Sequence, residues 1–243
     1  MRRIIAFAPG PALATLLIAA TAVLFGLVPL FARGLQAEGV GPATIALSRY
    51  AFTMAVIWPF LPLARAKRRE ALRLGAAGMA MGLGWIGWLE AVKVAPVAAA
   101  GVVYMSYPLF TALFAWLLLG QRPGPRALCA GLMALSAAAL LLDPATLTAE
   151  ALAALLWSLP APITFGLIIV ALSALTPGLS PLERMASAMS GAVLGLAPLA
   201  LAAEAGALAA AGARARGLFL GLGVATALLP QFLYSVSAPQ GGP

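Results

Sequence analysis

The sequence predicts an all-α integral membrane protein with about eight transmembrane helices. Three observations carry that prediction. Of the 243 residues, 63% are hydrophobic and 9% are charged, whereas soluble domains carry about 25% charged residues. Mean hydropathy is +1.02. Apolar runs near the ~20 residues that cross a hydrocarbon layer recur along the whole chain. Each is expected to be a helix, because an open strand would leave its backbone polar groups unpaired in lipid.

The first run, 11–31, follows Met1, Arg2 and Arg3. It is too long for the core of a signal peptide and lacks a clear cleavage site, so it reads as a retained span. The second, 42–63, contains Arg49. The third, 74–92, follows the basic segment "RAKRRE". The fourth, 97–119, carries Pro108 and stops at Gly120, Gln121, Arg122 and Pro123, a turn punctuated by glycine and proline. The fifth is 126–142. The sixth, 150–172, is interrupted by Pro160, Pro162 and Gly166. The seventh is 181–202, and the eighth, 217–237, holds Pro230.

The net charge of +8 comes from thirteen Arg and two Lys against seven acids. These charges fall between apolar runs, so they read as topology signals and not as a nucleic-acid face. With the N-terminus inside, ten basic residues lie on the inner side and four (Arg33, Lys93, Arg214 and Arg216) on the outer side. Both termini are then cytoplasmic, in a multi-pass protein of the inner or plasma membrane. There is no His and one Cys, Cys129. That composition argues against His/Cys metal sites and His-based nucleophilic triads, and no metal, cofactor or enzymatic activity is expected.

An internal repeat is visible. "AVLFGLVPLFARGLQAEGVGP" (22–42) lies over "PITFGLIIVALSALTPGLSP" (162–181), with the Phe-Gly-Leu triplets aligned. "WLEAVKVAP" (88–96) lies over "FLYSVSAP" (232–239) with one gap. A unit of five spans, an odd number, inverts the second copy, a recurring signature of secondary transporters. The reading divides the chain into a first repeat at 1–143 (spans 1–5) and a partial second repeat at 144–243 (spans 6–8).

The stretch 90–142, with its Pro-Leu-Phe-Thr-Ala-Leu core and Leu-Leu-Leu-Gly-x-Arg-Pro hairpin, resembles the drug/metabolite transporter superfamily, EamA type. "IALSRYAF" (45–52) is similar to that family's second span. The resemblance implies ten spans in two inverted repeats and a carrier of small metabolites, exporting amino acids, related compounds or drugs. Two features depart from the pattern: Gln121 stands where the hairpin usually carries Glu, and the last two spans are lacking. The alternative is therefore a truncated, non-transporting homologue, or a half-complete subunit that needs a partner chain or a second copy.

Candidate site residues follow from charge, polarity and helical phase. At about 100° per residue, Tyr104, Tyr107, Pro108 and Thr111 share one face of the fourth span with small residues. Pro108 frees a carbonyl one turn earlier, near Tyr104, which needs protein, hydroxyl or water beside it. That face is expected to border a polar cavity; a packing kink is the competing explanation. Arg49 lies about seven residues, or ~10 Å, into its span. It is expected either to pair with Glu90, to anchor an anionic substrate group, or to snorkel while Glu90 pairs with Lys93. Trp85 and Trp88 share a side of the third span, with Glu90 roughly 140° or more away. In the second half, Gln231 and Tyr234 flank the Pro230 interruption and complete the expected lining.

Overall fold

The computed structural model describes residues 11–140, 145, 147–204, 212–230 and 233. Among them there is no strand. Helices α1 (Pro11–Gly26) and α2 (Val28–Ala37) meet at Leu27. α3 (Pro42–Ile57) ends in a 3-10 turn, and α4 (Arg68–Val94) is preceded by one. α5 (Val97–Tyr104) and α6 (Tyr107–Leu119) share one apolar run, as do α8 (Ala149–Trp157) and α9 (Pro160–Ala174). α7 (Pro125–Ala139), α10 (Pro181–Glu204) and α11 (Ala213–Gly223) complete the set.

Among the described residues, four stretches are long and apolar enough to cross a membrane: Ala19–Ala37, Val97–Leu119, Ala149–Ala174 and Pro181–Ala202. An all-helical chain with several such helices fits a multi-pass membrane protein. The interruptions fall where the sequence places its prolines. Two proline-bearing runs are split in two, because proline lacks the N–H that a continuous helix requires. At Pro108 the break falls at Met105 and Ser106, and the Ser106 hydroxyl donates to the Val103 carbonyl at 2.6 Å. At Pro160 the Ser158 hydroxyl donates to Leu155 at 2.7 Å in the same way.

The helix ends carry their own signals. Gly120 has φ of 68°, the left-handed conformation glycine tolerates, and Gln121 N–H reaches back to the Ala115 carbonyl at 3.2 Å. That cap ends α6 abruptly. At the start of α10, Ser180 and Glu183 form a capping box: Ser180 N–H donates to Glu183 Oε2 at 2.8 Å and Glu183 N–H to Ser180 Oγ at 3.4 Å.

α4 sits at the centre. It packs on α10, α9 and α8, while α10 also lies on α3, α6 lies on α9, and α11 lies on α2 and α3. The α4–α10 crossing is built from small residues, which let two backbones approach closely where lipid supplies no hydrophobic drive. A Cβ at Gly191 would overlap the Gly75 carbonyl, and one at Gly78 would overlap the Ala188 carbonyl. Both ends of α4 are tied. At its C-terminal end Arg33 donates to the Val92 and Ala95 carbonyls at 3.2 and 3.1 Å, and Gln36 to Leu89 at 2.9 Å. At its N-terminal end Lys67 bonds both carboxylate oxygens of Glu183, at 2.7 and 2.8 Å. Glu70 accepts the Gly178 N–H at 2.9 Å. α7 packs on α5 and α6 and carries Cys129, an exposed free thiol.

Candidate functional site

The site begins with Arg49, on the inward face of α3. Only 7% of it is exposed. Its Nη2 donates to the Thr226 carbonyl at 3.0 Å, while Nε and Nη1 are buried with no hydrogen-bond partner among the described residues. The Thr226 carbonyl lacks its regular-helix partner for a local reason. In a regular helix it would accept from residue 230, but Pro230 has no N–H. The chain also widens into a π turn over Val224–Leu228, where Leu229 N–H reaches Val224 five residues back. Pro230 thus leaves an acceptor for Arg49, 177 positions from Thr226 in the chain.

Three rings face the guanidinium: Trp85 at 4.7 Å, Tyr50 at 5.6 Å and Phe25 at 5.7 Å from the ring centroids. Ring faces attract a cation through their quadrupole. No carboxylate among the described residues forms an ion pair with Arg49. Val28, Ile45, Ala46, Leu89 and Leu222 complete the walls of a cavity of about 10 Å³. That volume holds about one water molecule.

A column of rings continues from this box. Trp85 and Trp88 lie edge to face at 4.9 Å, and Trp85 meets Tyr104 at 5.4 Å. Phe165 of α9 closes the column, 5.4 Å from Tyr104 and 5.1 Å from Tyr107. Trp88 Nε1 donates to the Ala100 carbonyl at 3.1 Å, which fixes its ring.

Arg49, Trp85, Trp88, Tyr104 and Tyr107 are therefore brought together across α3, α4, α5 and α6. Pro108 sits at the start of α6, next to Tyr107. The Thr111 hydroxyl donates to its own helix, at the Tyr107 carbonyl 3.0 Å away. Gln231 and Tyr234 lie outside the described residues.

The Arg49–Glu90 pair is not formed. Glu90 stands half exposed and pairs with Lys93 at 2.9 Å. Similar depth suggested the pair, but the rotation of α4 that turns Trp85 and Trp88 inward carries Glu90 outward. Glu90→Gln is accordingly expected to change folding stability by less than about 0.5 kcal/mol. Its coupling to Arg49 in a double-mutant cycle should be near zero; a coupling above about 1 kcal/mol would restore the pair.

Sequence reasoning missed Phe25, Tyr50, Phe165 and Thr226. A signal for two of them was present: Phe25 and Phe165 head the two aligned Phe-Gly-Leu triplets. One meets Arg49 and the other meets the tyrosines.

Residues 12–143, more than half of the chain, match the EamA-like transporter family. The chain belongs to that family. EamA-like proteins are transporters and not enzymes, so this chain is a membrane transporter of small compounds, working in a lipid bilayer. No curated protein and no solved structure matches it.

Proposed function

We propose that this EamA-like chain is a secondary carrier that exports small metabolites, amino acids or related compounds across the inner membrane by alternating access. Eight spans cross the bilayer with both termini cytoplasmic, spans one to five (1–143) forming one repeat and spans six to eight (144–243) belonging to an inverted second copy. The observation that carries the proposal is Arg49, a buried charge with two unpartnered nitrogens between helices of both halves. A buried charge in a membrane segment marks a functional site by default.

The packing supports the inverted repeat. α4, the third span, lies on α9 and α10, the sixth and seventh; α11, the eighth, lies on α2 and α3, the first and second. Exchanging the halves maps one set of contacts onto the other, as an inverted repeat requires. The cavity around Arg49 admits a single small atom group in this conformation, so a substrate enters only when the two halves rock apart.

Two measurements test the proposal. The purified chain in proteoliposomes should show saturable counterflow of at least one small organic metabolite, and no flux across a broad panel would sink the carrier reading. Reporter fusions after Arg69 and after Gly212 should fall on opposite sides of the membrane. The same side for both would refute the eight-span arrangement.

A further inference from the structure

We infer that the Arg49 box takes the carboxylate of a small organic acid with an apolar or aromatic body and no ammonium group. This rests on the carrier reading and, among the substrates proposed there, selects organic acids and excludes amino acids, which carry an ammonium group. The charge balance comes first. Arg49 is 7% exposed and, among the described residues, has one hydrogen bond, to Thr226, and no acid paired with it. The three surrounding rings compensate a buried cation only in part, because ring faces carry no net charge. The box is short of one negative charge and of acceptors for Nε and Nη1.

A carboxylate supplies both. Its oxygens accept charge-assisted hydrogen bonds from guanidinium, the strongest class available to such a site. One oxygen is already of a size with the cavity of about 10 Å³. The rest of the ligand meets Trp85, then Tyr104, Trp88, Tyr107 and Phe165, so an apolar or aromatic body is favoured over a sugar or an inorganic ion.

An ammonium has no counterpart here. The ring faces nearest the charge are occupied by Arg49 itself. Glu90, the acid at similar depth, points outward to Lys93. A zwitterion would bring a second cation next to the first, and a simple amine would meet only repulsion.

The test uses the purified full chain and one body with four head groups: 3-phenylpropanoate, its neutral amide, 3-phenylpropylamine and phenylalanine, with chloride as a fifth probe. Binding is read by tryptophan emission and by thermal shift. The acid should bind at least about tenfold more tightly than any other probe. Arg49→Lys should weaken the acid by about tenfold or more, and Arg49→Gln should abolish the preference for acid over amide. If Arg49→Gln does not fold, Arg49→Lys and the wild-type series still decide. Equal binding of acid and amide, tighter binding of the amine or of phenylalanine, equal binding of chloride, or no binding of the acid would each overturn the inference. Flux in proteoliposomes separates the two claims. An acid that binds through Arg49 without being carried keeps the anion site and removes the carrier; carried amines with no acid binding do the reverse.

Discussion

Arg49→Met is expected to cut substrate flux by about thirtyfold or more while leaving the melting temperature unchanged or raised. The two effects separate because, under the proposed function, the arginine serves the substrate at a cost in folding energy. Its charge is buried, and among the described residues two of its nitrogens have no acceptor and its one hydrogen bond is to the Thr226 carbonyl. Losing that bond leaves the carbonyl unpaired, at about 1–3 kcal/mol. Removing a desolvated charge offsets this, since replacing buried ionic groups by apolar ones of similar volume is often neutral or stabilising by about 1–4 kcal/mol. Methionine keeps the length and the contacts with Trp85, Tyr50 and Phe25, and sulfur packs favourably on rings. Flux and thermal unfolding should be measured on one preparation. A fall in melting temperature beyond about 5 °C, tracking the flux loss, would assign Arg49 a structural role instead.

Arg49 also illustrates what a sequence can and cannot carry. Its place along the helix was legible, because counting residues gives distance along the axis. Its partner was not. The acceptor lies 177 positions away in the chain, and only the packing of α11 against α3 brings it near. The same limit explains Glu90, which was matched to Arg49 on depth alone while the rotation of α4 sets which way it faces. The break at Pro108 was legible, because it follows from a missing N–H within one segment. So was the shared side of Trp85 and Trp88, three residues apart on one helix. Phase within a helix is local information. Which faces of different helices meet is decided by the whole bundle.

Gly191→Val is expected to reduce the yield of folded protein several-fold, the largest effect of any single added side chain at this crossing. A Cβ there lies 2.6 Å from the Gly75 carbonyl carbon, closer than real contacts allow, and the obstacle is backbone. A flexible side chain could turn aside, but two helices must separate. Overpacking typically costs about 1–3 kcal/mol, and a backbone obstacle places this case at the upper end. Separation also moves α4 and with it Trp85 and Trp88, so flux per folded molecule should fall too. Gly34→Ala is the control: its Cβ would meet the Leu218 side chain, 3.1 Å from Cδ1 and 3.3 Å from Cδ2, and that side chain can yield. Detergent-extracted yield and size-exclusion profiles report the outcome. If Gly191→Val is extracted and melts like the parent while Gly34→Ala does not, the close crossing is not what holds α4 to α10.

Cys129 stands on the exposed side of α7 and is the only thiol in 243 residues. The chain therefore arrives with a built-in labelling position, free of the cysteine removal that spin-label and dye experiments usually demand. One nitroxide per molecule means that a dipolar coupling between labels arises only between two chains. Coupling in the bilayer would count copies directly, its distance would fix how two α7 helices are spaced, and its absence would identify a solitary carrier.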